Sequence, residues 1–172
     1  MKKKLVIAFF LISFIMTTGW SWPLLSIGGN AYLGSSGLLF GGGFSFDWGL
    51  ESCFTSSKTE QSIIAMDMEY IGGGENGDDG FVLGFTFKEG FILPPGRAML
   101  AAGFGTAMVA IGYSMGGAVF GEGALYYILG RAFAINLSIR GGALFIDDEV
   151  QPFVGLRLNI GYMFVPEEEN EY

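Results

Sequence analysis

Apolar and polar positions alternate one for one through most of this chain, and about eight such segments can be marked out between turn-like clusters. The first runs roughly from Leu24 to Leu33. The second, Leu38 to Phe54, sets Leu38, Phe40, Phe44, Phe46, Trp48 and Leu50 on one face and Gly41, Gly43, Ser45, Asp47, Gly49 and Glu51 on the other. In the third, about Gln61 to Ile71, Ile64, Met66, Met68 and Tyr70 oppose Ala65, Asp67 and Glu69. The fourth starts at Phe81 and sets Leu83, Phe85 and Phe87 against Gly84, Thr86 and Lys88. The fifth and sixth lie within 97–129, the sixth with Leu125, Tyr127 and Leu129 against Glu122, Ala124 and Tyr126. The seventh opposes Phe133, Ile135, Leu137 and Ile139 to Ala134, Asn136, Ser138 and Arg140. The eighth, "GLRLNIGYMF" from Gly155 to Phe164, opposes Leu156, Leu158, Ile160, Tyr162 and Phe164 to Gly155, Arg157, Asn159, Gly161 and Met163.

A soluble barrel alternates in the same way, so the content of the two faces decides. The non-greasy face here is mostly glycine, alanine and serine with a few charges, not the lysine- and glutamate-rich face that water would solvate. The greasy face is broad and aromatic. That is the inverted logic of a transmembrane barrel, lipid outside and polar groups inside. Only helices and closed barrels satisfy every backbone polar group within a bilayer, and a tilted strand needs about 9 to 11 residues to cross. The expectation is an all-β fold, a membrane-spanning antiparallel up-and-down barrel of about eight strands.

One segment competes. Residues 98–120 carry no charge and could be a membrane helix, with Gly112 and Gly116 at a helix-packing spacing. Glycines at 103, 105, 112, 116 and 117 weaken a helix, and strand-like neighbours flank it on both sides. A hairpin turning near Ser114 to Gly117 is the better reading.

Composition agrees with this. Hydrophobic residues make up 51% and charged residues 15%, with mean hydropathy +0.46, against about one quarter charged in soluble domains. The start of the chain reads as a signal peptide over 1–21: Lys2, Lys3 and Lys4, an apolar run from Leu5 to Met16, then Thr17, Thr18, Gly19 and Ser21. An uncleaved anchor is the alternative. Removing the three lysines takes the formal charge from -8 to -11, so nucleic acid is not an expected partner. The barrel is expected over 22–164 and an acidic tail over 165–172. Cys53, alone, forms no internal disulfide and reads as a small strand residue.

The turns sort by side if the chain begins in the periplasm. Thr55 to Glu60, Pro94 to Arg97 and Gly130-Arg131 fall on the periplasmic side. Gly34 to Gly37, Gly72 to Gly80, about Gly112 to Gly117, and Ile146 to Val150 fall outside. The outer loops hold Glu75, Asp78 and Asp79, and Asp147, Asp148 and Glu149; their spacing matches no defined metal loop, and solvated loop charge is the default over weak divalent-cation binding.

The last segment, with Leu158, Ile160, Tyr162 and Phe164 alternating and ending on an aromatic residue, resembles the C-terminal signal strand of small eight-stranded outer-membrane β-barrel proteins of Gram-negative-type bacteria. The resemblance implies export through the periplasm, recognition of this strand by the barrel-assembly machinery, and closure of the sheet against the first strand. It also implies insertion in outer-membrane lipid, where the chain is expected to be a monomer. Members usually stop at the aromatic residue, whereas here VPEEENEY follows, as a solvated tail or as a docking peptide for a periplasmic partner.

Projecting the inward faces together gathers Asp47, Glu51, Asp67, Glu69 and Glu122 against Lys88, Arg140, Arg157 and Arg97. Buried charges must be paired, and eight strands leave an interior just wide enough for side chains. The expectation is a paired-charge plug, with a narrow polar conduit as the alternative. Asp67 and Glu69 could in principle be a catalytic carboxylate pair. Histidine is absent, which counts against the outer-membrane barrel acyltransferases, deacylases and proteases that the resemblance would otherwise suggest. The glycine runs at 41–43 and 72–74 lack the lysine and strand-to-helix context of a phosphate loop. No cofactor, metal site or enzymatic activity is expected. The expected role is envelope integrity or surface interaction; the alternative is a narrow channel or a passage for apolar molecules. Continued alternation would also turn Glu89 toward lipid, so it should lie near the periplasmic interface or follow a bulge at Gly90.

Overall fold

In a computed structural model the alternating segments form eight strands: β1 (Trp20–Gly34), β2 (Gly37–Glu51), β3 (Glu60–Gly72), β4 (Gly80–Leu93), β5 (Ala98–Ile111), β6 (Ser114–Leu129), β7 (Phe133–Ile146) and β8 (Glu149–Met163). The structure describes residues 20–35, 37–51, 59–73, 79–130 and 132–164, without the side chains of Trp20, Ser21 and Glu51. Residues 1–19 of the expected signal peptide, Cys53 and the acidic tail lie outside the described residues.

Each strand pairs antiparallel with the next, and β8 pairs back with β1 from Leu24↔Met163 to Leu33↔Val154, closing the barrel. Closure removes the sheet edge that lipid could not satisfy. Strand one begins at Trp20, ahead of the expected start at residue 22, with a register shift between Trp20 and Trp22. No helix among the described residues is long and apolar enough to cross a membrane. Residues 98–111 and 114–120 are strand, so the helical alternative for 98–120 is excluded in favour of the hairpin. The turn falls at Gly112-Tyr113, ahead of the expected Ser114 to Gly117, because Gly112 takes the positive φ (57°) that a two-residue hairpin turn requires. Gly116 and Gly117 instead remain in β6, paired with Val109 and Met108.

The tilt follows from the register. Starting at Trp22, the paired row runs through Gly49, Ile63, Lys88, Gly103, Glu122, Arg140 and Gly155 and returns to β1 at Tyr32, ten residues further on. A ten-residue offset over eight strands, with the usual rise and strand spacing, gives a tilt of roughly 40° and a diameter of roughly 16 Å. A tube of that width holds side chains and little else.

Outward residues are the greasy ones: Phe104, Ile27, Phe40, Leu158, Ile139 and Leu156 are each more than half exposed. Tyr162 sits edge-on between Phe133 and Phe164, with ring centroids 5.6 and 4.9 Å away. This forms an aromatic cluster beside the β1–β8 seam at the end that carries both chain termini, here called the terminal end. The distal end carries four connections, three of two residues each and a longer one over 73–79. One of them, Asp147-Asp148, places two aspartates at φ 49° and 65°, a conformation in which glycine carries no Cβ penalty. Asp148→Gly relieves a left-handed Cβ penalty of roughly 1–2 kcal/mol against the roughly 0.4–1 kcal/mol that glycine adds in unfolded-chain entropy. It should therefore stabilise the barrel by about 0.5–1 kcal/mol, read as a higher urea midpoint of unfolding in detergent. Asp147 is left in place because Ser114 Oγ donates to it across the β6–β7 rim.

Candidate functional site

The interior is built in three layers. At the terminal end the inward positions are apolar: Leu24, Ile63, Met99, Tyr126, Ala134 and Met163 pack together with Trp22 and Ile128. At the distal end they are apolar again: Tyr32, Leu39, Ile71, Val82, Val109 and Phe120, with Ile111, Leu144 and Phe153 against them. Between the two lies a belt of buried charge.

Seven ionisable groups make the belt, and all are at least 95% buried: Asp47, Asp67, Glu69, Glu122, Lys88, Arg140 and Arg157. Arg140 is its hub. Its Nε donates to Glu122 at 2.5 Å and its Nη1 to Glu69 at 3.1 Å, while Nη2 donates to Asp67. Arg157 holds the same two β3 carboxylates, Nη2 to Asp67 Oδ1 at 2.8 Å and Nε to Glu69 Oε1 at 2.9 Å. Lys88 Nζ reaches Glu122 Oε1 at 2.8 Å. Glu69 also accepts from Asn30 Nδ2 and Tyr32 Oη, both at 2.5 Å. Asp47 takes a different kind of partner: Tyr126 Oη donates at 2.8 Å and Asn136 Nδ2 at 3.4 Å. Two faces of aromatic rings complete the belt, with the Arg140 guanidinium 4.8 Å from the Phe120 centroid and Lys88 Nζ 5.4 Å from that of Tyr126.

The sequence order explains why these groups meet. Lys88, Glu122 and Arg140 occupy one paired row, with Gly103 between the first two. A glycine there keeps the row clear: a Cβ on Gly103 would lie 1.9 Å from the Phe87 carbonyl oxygen and 2.6 Å from Lys88 Cα. Gly155 plays a matching part for Tyr32, whose ring edge stands 2.3 Å from where a Cβ would be. Gly155 is thus a socket for a long side chain, while Gly103 lets the neighbouring backbone approach closely.

Of the residues expected inside, Asp47, Asp67, Glu69, Lys88, Glu122, Arg140 and Arg157 come together. Arg97 does not. It sits exposed in the Pro94–Arg97 turn, beyond the reach of the belt. Glu51 ends β2 opposite Gln61, and its side chain is outside what the structure describes. Glu89 does face outward. The β4–β5 register is unbroken from Gly80↔Ile111 to Leu93↔Ala98, so no bulge forms at Gly90. Glu89 accepts instead from Ser62 Oγ near the terminal end. Asp67 and Glu69 are neighbours on one face, as a carboxylate pair would be, but two arginines clamp both. Among the described residues, no group of three or more aspartates, glutamates or cysteines is placed to hold a metal ion.

Tyr126 lies inside with Glu122, as the alternation of the sixth segment places it; the apolar layers and Tyr32 are what that alternation did not reveal. Their trace is a local failure of alternation: Leu38-Leu39-Phe40, Tyr70-Ile71 and Phe81-Val82-Leu83 at distal strand ends, and Leu24-Leu25 and Ile63-Ile64 at terminal ones. Where both faces are greasy, the interior is greasy too.

No protein-family sequence profile matches the chain. No curated protein matches it either. Solved structures do. Ail, the attachment invasion locus protein of Yersinia pestis, aligns at TM-score 0.54 and 18% identity, over 84% of this chain and 99% of its own. Neisserial surface protein A aligns at TM-score 0.57 and 8% identity, over 84% and 96%. A structure of Ail in a phospholipid bilayer nanodisc aligns at TM-score 0.55 and 16% identity, over 84% and 99%. The likeness is one of fold. This chain has the architecture of a small eight-stranded outer-membrane barrel, greasy outside and charged within.

Proposed function

We propose that this protein is an integral outer-membrane barrel closed to ion flow, with a structural or surface-interaction role. The observation that carries the reading is the belt itself. Six of its charges pair with one another and Asp47 accepts from neutral donors, across a lumen roughly one side chain wide and between two apolar layers that water enters poorly. Ail and Neisserial surface protein A carry names that speak of attachment and of the surface, and the shared fold favours a role of that kind. The terminal end then faces the periplasm and the distal end the exterior. The charged residues of the distal connections are all acidic, Asp79, Asp147, Asp148 and Glu149, joined by Glu75 and Asp78 in sequence, whereas Lys58, Arg97 and Arg131 all fall in the opposite connections. A partner at the outer rim would therefore be met by negative charge.

Residues 1–19, ahead of β1, serve as the export signal in this reading. Leu158, Ile160, Tyr162 and Phe164 present the strand that the assembly machinery takes, and the protein sits in the lipid as a monomer. An enzymatic role is not favoured, because Asp67 and Glu69 have no free proton-transfer geometry once Arg140 and Arg157 are bound to them.

Mobility of the outer-membrane fraction in SDS gels tests the location and fold together. The protein should migrate as a compact species when kept cold and shift on boiling; its recovery in the inner membrane without a shift would refute the reading. Purified barrel in planar bilayers should then carry no single-channel current, whereas discrete current steps would replace the closed plug with the conduit.

A further inference from the structure

The distal apolar layer does not fill its own space. Above the belt it surrounds a cavity of about 70 Å³, lined by Leu39, Ile71, Val82, Val109, Leu144 and Phe153. Tyr32, Phe120 and Arg140 form its floor. Three properties of the floor and rim restrict what could enter. Arg140 already serves three carboxylates and lies over Phe120. Tyr32 Oη is spent on Glu69. At the rim, Gln151 accepts from Ser35 Oγ at 2.5 Å and donates to Glu149 at 3.1 Å. Each polar side chain of the lining already has partners of its own, and the acidic distal connections repel an anion at the entrance.

We infer that this cup is a binding site for a small, neutral, apolar molecule or for the uncharged end of a hydrocarbon chain. A volume of this size is about half of the roughly 150 Å³ that takes up a benzene-sized molecule, so roughly two to three methylene-sized groups seat within it and the rest of a larger molecule projects into the distal mouth. An apolar cavity whose walls offer no hydrogen bond stays dry, and its lining lacks contact partners until a hydrocarbon supplies them. The ligand thus inserts from the distal mouth and stops at the charge belt. It does not pass through the wall, since the belt closes the path below it.

The test uses methyl-labelled full-length barrel in lipid nanodiscs, with cyclohexane as the probe. Methyl signals of Leu39, Val82, Val109 and Leu144 should shift saturably. Those of lipid-facing Leu137 and Leu158 should drift in proportion to the added probe. Ala107→Phe and Ala118→Leu, which fill the cup, should reduce the saturable shift at least fivefold and leave the lipid-facing drift unchanged, with folding checked by heat-shifted gel mobility. Should neither variant fold, nuclear Overhauser contacts in the native protein decide. Contacts from cyclohexane to Val82 and Val109 but not to Leu24 support the site. A second arm omits cyclohexane and uses lipid protonated only at the chain-terminal methyl. Contacts from it to Val109 assign the membrane's own acyl chains as occupant, and their absence beside a saturable cyclohexane shift assigns a free molecule. Cup methyls that merely follow the lipid-facing ones, or that respond equally after filling, overturn the inference.

Discussion

Replacing Arg140 by methionine should cost the barrel about 3–5 kcal/mol, the usual penalty for breaking a buried charge network from one side. The side chain's volume is roughly kept, so the loss is electrostatic. Four described carboxylates would then face Lys88 and Arg157 alone. Glu122 would keep only Lys88, while Asp67 and Glu69 would share Arg157. Urea unfolding in detergent micelles reads the effect directly. Lys88→Met should cost less, because Glu122 keeps its 2.5 Å bond to Arg140 Nε. If the two substitutions prove equal, or if Arg140→Met is neutral, Arg140 is not the hub described here.

The second large effect lies at the closing seam. Gly28 and Gly29 are adjacent on β1 and point to opposite faces. A Cβ on Gly28 would stand 2.0 Å from the Leu158 carbonyl oxygen and 2.6 Å from Asn159 Cα. These are backbone atoms of β8, and they cannot swing away as a flexible side chain can. A Cβ on Gly29 would meet nothing nearer than 3.7 Å. Gly28→Val should therefore destabilise by about 3 kcal/mol or more, at or beyond the upper end of ordinary overpacking, and should abolish the cold-SDS-resistant species. Gly29→Val, facing lipid, should stay within about 0.5 kcal/mol. Comparable refolding yields for the two would mean that the β1–β8 register is other than Gly28↔Asn159 and Gly29↔Leu158.

Both predictions depend on side-chain direction, which was the most legible property of the sequence. Period-two alternation placed Asp67, Glu69, Glu122, Arg140 and Arg157 inside without any knowledge of which strand meets which. Alternation is a local rule, so it succeeds wherever lipid lies on one side and polar groups on the other. It does not report height along the tube. Arg97 was grouped with the inward cations because its sign suited them, yet a residue in a turn has left the barrel wall. Height comes from register, and register depends on turn lengths. That is why placing the β5–β6 turn at Ser114 to Gly117 rather than at Gly112-Tyr113 leaves the rows of the distal layer unreadable. The three-layer interior was hidden for the same reason, since its layers join residues such as Leu39 and Val109 that no local pattern relates.

The belt also has a kinetic meaning. Its partners are far apart in the chain: Arg157 and Asp67 are separated by 90 residues, Asn136 and Asp47 by 89, Arg140 and Asp67 by 73. Contacts of such long range form late and slowly. A single hairpin entering the bilayer ahead of the others would carry a bare carboxylate or guanidinium into hydrocarbon, at several kcal/mol each. That cost favours closure in step with insertion. A barrel closed in a slipped register would leave at least one of these charges without its partner, so the same seven side chains that meet in the finished tube also favour the single register in which they meet.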